Sequence, residues 1–285
     1  MWAHRPWVGR FLPPGTPTGS ELSIYSRLLT AVEGNTTFYA SPIPSTVAKW
    51  AEQAAPGFEF VFKVPQIVTH ERRLRDVDDL IAAFCELMAP LGDRVGGLTL
   101  QLPASFAPTD LGVLGGLLRR LPGGWRWSVE VRHPQFFDGP ARDALDRILS
   151  RAGVERVLLD SRPLFAQSPL TDIGRLTYSR KPRIPALTRA LTDRPIVRVI
   201  GSDDPAVTAV GLARWPEIVA AWLEEGRSPT VFVHTPDNLD SPWLARRFHE
   251  TVGRLMPALL PLAPMEALAP TIRPESVEPA QGSLF

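Results

Sequence analysis

Apolar, β-branched runs in this 285-residue chain repeatedly end in polar, chemically capable residues and then give way to helical patterns. The endings are Glu33-Gly34-Asn35-Thr36-Thr37-Phe38-Tyr39, Lys63, Gln101-Leu102-Pro103, Glu130-Val131-Arg132-His133, Arg198 and His234-Thr235-Pro236-Asp237-Asn238. In a parallel sheet closed by crossover helices, all strand ends of that polarity open onto one face, where such barrels build their sites. The repetition predicts a pocket without naming its reaction.

Runs rich in β-branched and aromatic residues place strands near 30–35, 58–64, 96–102, 125–132, 155–160, 195–200 and 230–235. Helical patterns lie between them. Val77 to Leu91 follows Asp76 with apolar residues at three- and four-residue spacing, and Asp78 and Asp79 suit the positive end of its dipole. Leu111 to Leu121 repeats the arrangement, Ala141 to Ala152 closes at Gly153, and Ile218 to Glu225 closes at Gly226. Ser241 is read as the cap of a last helix, with Pro242 at its first position. Strand-helix alternation of this kind predicts an α/β fold, a TIM-like (β/α) barrel, with an open doubly wound sheet as the alternative. No dinucleotide fingerprint or phosphate loop is present: Gly112, Gly115 and Gly116 fall inside a helical pattern.

Residues 1–262 are read as a single barrel domain and 263–285 as a flexible, proline-rich tail. A second departure from the alternation is the stretch 162–193, which carries Arg162, Arg175, Arg180, Lys181, Arg183 and Arg189 against Asp172 and Asp193. Its insertion between the sixth and seventh strands predicts a position near the barrel mouth. Over the whole chain 31 basic side chains face 30 acidic ones, so no molecule-wide field for nucleic acid exists. Cys85 is the only cysteine, which excludes an internal disulfide, and its apolar helical neighbours predict a buried thiol. The first residues lack a signal-peptide core and prolines interrupt the apolar stretch from Leu255 to Pro270, so the expectation is a cytoplasmic protein with no membrane contact.

The ordered blocks Trp2 to Gly9, Val32-Glu33-Gly34-Asn35-Thr36-Thr37-Phe38-Tyr39, Phe60-Val61-Phe62-Lys63, Thr69-His70, Gln101-Leu102-Pro103 and Val129-Glu130-Val131-Arg132-His133 resemble the YecE-like family. That resemblance runs to about Leu255 and implies a bacterial TIM-barrel protein without an established biochemical function. Many members carry a Tyr-x-Arg-x-His-Gly segment at the seventh strand. Here Ile196 and Ile200 occupy the Tyr and His places, so no role transfers to them. Members also have a short strand before the first tryptophan, whereas this chain starts almost at Trp2; the resemblance therefore implies that the first barrel strand is missing or replaced, leaving a sheet edge that needs covering.

Glu33, Glu130, His133 and His234 are the candidate catalytic residues. Both carboxylates terminate apolar strands and are suited either to acid-base work or to structural ion pairing with Lys63, Arg132 or Arg198. The histidines shuttle protons near neutral pH or ligate metals, but no local spacing supplies two ligands, so no metal site is assigned. Carboxylate-held magnesium or manganese finds no support in the pattern, and the cofactor is unknown. Lys63, Arg132 and Arg198 offer three cations to an anionic ligand, a phosphate-bearing metabolite or nucleic-acid component. Asn35, Thr37, Tyr39, His70, Gln101 and Asn238 complete the candidate ligand-binding set. Fold-level analogy suggests hydrolase or isomerase chemistry; the alternative is a non-catalytic binding or adaptor module. Finally, Gln281, Leu284 and Phe285 resemble the short peptides that bind the bacterial replication sliding clamp, a link to DNA repair through the tail.

Overall fold

The computed structural model describes residues 2–265. The partner-binding candidates Gln281, Leu284 and Phe285 lie outside the described residues. Eight strand segments are present, β1 Ala31–Gly34, β2 Glu59–Lys63, β3 Val95–Gln101, β4 Trp127–Glu130, β5 Glu155–Arg156, β6 Leu158–Asp160, β7 Ile196–Ile200 and β8 Thr230–His234. All pairings are parallel, in the order β1-β2-β3-β4-β5 and β6-β7-β8. β5 and β6 are halves of one strand interrupted at Val157, whose N–H still reaches Val129 O at 2.9 Å. The described residues thus form seven barrel strands, each within two residues of its sequence expectation.

Ten helices accompany them: α1 Glu21–Leu28, α2 Thr36–Tyr39, α3 Pro44–Gln53, α4 Asp78–Met88, α5 Leu111–Leu118, α6 Gly139–Arg151, α7 Asp172–Arg180, α8 Pro205–Leu212, α9 Trp215–Glu224 and α10 Ser241–Leu255. α4 buries Ile81, Phe84, Cys85 and Met88, the face that its spacing predicts. Burial raises the Cys85 thiol to about 11, so it rests as a neutral core side chain. Gly153 after α6 and Gly226 after α9 both take positive φ, 64° and 78°, the conformation in which a glycine closes a helix at least cost. α10 departs from expectation: Asp240 is its cap residue, and Ser241 Oγ instead accepts the Thr235 N–H at 3.0 Å, tying the helix start to the end of β8.

Alternation along the strands divides the interior from the outer core. Outward residues Val197, Val199 and Val233 meet Trp215, Val219, Trp222, Leu244, Phe248 and Val252 from α9 and α10. Inward, Val61, Val157, Ile196 and Phe232 form a separate apolar plug with Ala31 against it. Burying each such side chain contributes roughly 1.5–3 kcal/mol, enough to fix the strand register from inside. Two residues further along five of the strands, on the same face, stand Glu33, Lys63, Arg198, His234 and, from Ser128, Glu130. A polar layer therefore sits directly above an apolar one.

The barrel does not close by hydrogen bonds. Among the described residues β1 pairs only with β2, and β8 only with β7. A cavity of about 400 Å³ lies along the seam between them, bounded by Trp7, Tyr25, Val32, Val233 and Phe248, with Leu259 and Leu262 from the segment after α10. Those side chains cover the unpaired edges of β1 and β8.

Candidate functional site

The mouth of the barrel is built on Arg198, which reaches from the middle of β7 to two carboxylates at once. Its Nε lies 2.5 Å from Glu33 Oε1 at the end of β1, and its Nη1 donates to Glu130 Oε2 at 3.1 Å at the end of β4. Arg132, two residues beyond, donates to Glu130 Oε1 through Nε at 3.0 Å and Nη2 at 2.9 Å. The same Nη2 reaches Gln101 Oε1 at 2.9 Å, which also accepts from Lys63 Nζ at 2.7 Å. Glu33 Oε2 accepts from Asn35 Nδ2 at 2.7 Å and stands 3.2 Å from His234 Nε2 and 3.9 Å from Lys63 Nζ. Eight of the sequence candidates, Glu33, Asn35, Lys63, Gln101, Glu130, Arg132, Arg198 and His234, thus meet in one cluster.

Electrostatics within the cluster are one-sided. Burial on its own would raise Glu130; Arg198, Arg132 and Lys63 more than offset it and hold the carboxyl at about 2. Glu33 is likewise driven well below the usual range, Arg198 and Lys63 overcoming its burial. Lys63 falls to about 8 through burial and the Arg198 charge, against the pull of both carboxylates. His234 falls to about 4 for the same two reasons and is neutral at pH 7.

One further cation belongs here. Lys181, at the end of α7, is lowered to about 8 by burial and by the charges of Arg198 and Arg132. The loop that carries it is held by Ser161 Oγ donating to Pro182 O at 2.7 Å and by Arg183 lying over the Phe165 ring at 4.8 Å. The basic excursion therefore delivers a lysine to the mouth, and no carboxylate pairs with that lysine among the described residues. Sequence reasoning counted Lys181 as part of a charged stretch and not as a site residue. A signal was available: the chain has three lysines, Lys49, Lys63 and Lys181, while all its other basic side chains are arginine.

The remaining candidates stand apart. Thr37 is buried, with Oγ1 2.7 Å from Lys63 O and 3.0 Å from Gly34 O, bracing the ends of β1 and β2. Tyr39 is 75% exposed and only its ring edge meets Phe38. His70 packs edge-on against Phe38 with Nδ1 2.9 Å from Thr69 Oγ1. His133 accepts from Gln135 N at 3.4 Å and caps the turn that follows β4. Asn238 borders the seam cavity, its backbone oxygen accepting from Trp7 Nε1 at 2.9 Å and its Oδ1 from Ser241 Oγ at 3.3 Å. Strand ends look alike in sequence, and only the turn that follows decides whether a side chain rises over the mouth or caps its own backbone.

Among the described residues no three His, Cys, Asp or Glu side chains gather in a metal-holding arrangement. Both oxygens of Glu130 are already engaged by guanidinium groups, Oε1 by Arg132 and Oε2 by Arg198, and Glu33 Oε1 by Arg198. Some buried charges elsewhere are matched by a single partner, as in Arg156 with Asp146 at 2.9 Å and Asp160 with Arg162, while Glu155 is held by backbone N–H groups and the Thr192 hydroxyl. The mouth is different: Lys63, Arg132, Lys181 and Arg198 face two carboxylates, an excess of two positive charges.

The molecule is thus a (β/α) barrel, with seven strands among the described residues and a charged layer over an apolar plug. The chain belongs to the DUF72 family, described as "Protein of unknown function DUF72", whose model matches residues 1–268. It is 38% identical over 270 residues to UPF0759 protein YecE of Escherichia coli strain K12, covering 94% of this chain and 96% of that one. The same protein of Escherichia coli O157:H7 is 37% identical with the same coverage. Among solved structures, a DUF72 family protein of Enterococcus faecalis V583 superposes with TM-score 0.68 at 17% identity, over 93% of this chain and 96% of the other. One from Thermotoga maritima MSB8 gives 0.66 at 18%, over 88% and 96%. These two likenesses bear on the fold alone. No helix among the described residues is long and apolar enough to cross a membrane.

Proposed function

We propose that the barrel mouth binds a small anionic ligand bearing phosphate or carboxylate and acts on it as an enzyme. The excess of positive charge carries this reading: Lys181 makes no salt bridge among the described residues, and Lys63 shares Glu33 and Glu130 with two arginines. An oxyanion at the rim supplies the missing counter-charge and restores Lys181 toward its ordinary pKa. Asn35 Oδ1, buried without a hydrogen-bond donor among the described residues, offers the ligand a further contact.

Roles within the layer follow from protonation. Glu33 and Glu130 stay ionised across the physiological range, so they orient cations and do not exchange protons. Proton traffic falls instead to groups poised near neutrality, Lys63 and Lys181, and to the neutral imidazole of His234. The reading places the protein in the cytoplasm, with a phosphate-bearing metabolite or nucleic-acid component as its ligand.

Calorimetric titration with inorganic phosphate at pH 7 tests it. The unaltered chain is expected to bind, more weakly as salt rises, and Lys181→Met to weaken binding about tenfold, roughly 1.4 kcal/mol. Absence of binding heat, or equal affinity in Lys181→Met, contradicts the reading.

A further inference from the structure

Only three of this chain's 31 basic residues are lysine. Lys49 is exposed on α3, and the other two, distant in sequence, both stand at the mouth. Arginine never becomes a neutral nucleophile in a protein, whereas a lysine beside other cations in a desolvated site does. Two amines retained at one site therefore point to amine chemistry.

We propose that Lys63 is an amine nucleophile that forms an imine with an aldehyde or ketone whose phosphate or carboxylate group is held by Lys181 and Arg132. This rests on the anion-binding reading and names the substrate class, an anionic carbonyl compound. Lys63 is fixed at the end of β2, a rigid element, with its nitrogen directed into the charged layer. Its hydrogen-bond acceptor is the neutral Gln101 amide, and the nearest carboxylate oxygen, Glu33 Oε2, lies at 3.9 Å, too far for a hydrogen bond. The ammonium is thus not locked into a short ion pair. Arg198 next to it favours the free amine, as in other activated lysines.

In the step itself the amine lone pair attacks the carbonyl carbon, forming the C–N bond while the C–O π electrons move to oxygen. That oxygen takes a proton from nitrogen, and the resulting hydroxyl leaves as water after receiving one more proton from the Lys181 ammonium. The product is an iminium facing the ionised Glu33, whose charge stabilises it without moving a proton.

Glycolaldehyde phosphate with sodium cyanoborohydride tests the proposal, because hydride addition to the iminium carbon leaves a permanent secondary amine that peptide mass spectrometry locates. Lys63 is expected to be modified at least about tenfold faster than the exposed Lys49, since it stands beside Arg198 and within the phosphate grip of Lys181 and Arg132. Added inorganic phosphate slows the Lys63 reaction, unphosphorylated glycolaldehyde loses most of the preference, and Lys63→Arg abolishes the mark. Equal rates at Lys49 and Lys63, or a mark on Lys181 alone, overturn the proposal. If Lys63→Arg does not fold, the comparison of Lys63 with Lys49 in the unaltered chain decides. Phosphate binding without modification of Lys63 removes the imine and leaves the anion site standing; loss of both removes the two together.

Discussion

Arg198→Met is expected to destabilise the fold by about 3–5 kcal/mol. Both carboxylates that Arg198 serves are buried, Glu33 5% and Glu130 0% exposed, and removal of the shared guanidinium leaves them facing one another with less positive charge between them. Methionine keeps much of the side-chain volume, so the loss measures charge and not a cavity. Urea denaturation at pH 7 gives the value directly from the change in midpoint. Adding Glu130→Gln to Arg198→Met is expected to recover part of the loss, because the orphaned buried charge is then gone. A change below about 1 kcal/mol contradicts the role assigned to Arg198, since ordinary surface substitutions stay within that range.

Stability should also depend on pH in two separate windows. Glu130 titrates at about 2 in the fold against an ordinary 4.5, so its contribution is full above 4.5 and is lost as pH falls toward 2. His234 adds to this acid arm: the unfolded chain takes up a proton near 6.5 and the folded one only near 4, so stability falls between those values as pH drops. On the alkaline side the sign is less familiar. Lys63 and Lys181 sit near 8 in the fold against 10.5, so between those values the unfolded chain holds more protons and stability rises with pH. Each shift of about 2.5 units corresponds to roughly 3 kcal/mol, large beside a typical net stability of 5–15 kcal/mol. Urea midpoints measured from pH 3 to 10 are expected to decline below 6.5 and to climb above 8. Phosphate, by neutralising the excess charge, flattens the climb; a profile already flat from pH 8 to 10 without phosphate speaks against the desolvated lysines.

Much of this architecture is legible in the sequence because period-two alternation is local. Val61 then Lys63, Ile196 then Arg198, and Phe232 then His234 each announce an apolar level with a polar one above it. Which cation meets which carboxylate is not local. Arg198 bridges Glu33 and Glu130 only because the curved sheet brings β7 across from β1 and β4, a closure that no spacing encodes. The helix α7 escaped notice for a different reason: Ile173 and Leu176 are 45% and 47% exposed, so the element has no buried apolar stripe for a periodicity to report. Lys181 was hidden with it. His133 and Tyr39 look equivalent to His234 and Asn35 in the sequence, and the short turns after β4 and β1 separate them.

Those same three lysines make the central claim directly measurable. With lysine labelled in its ε-methylene carbon, a magnetic-resonance pH titration yields three curves, one for each side chain. Two should bend near 8, from Lys63 and Lys181, apart from the third; phosphate should carry the Lys181 curve upward. Three curves bending together, unmoved by phosphate, would contradict an unneutralised cationic mouth.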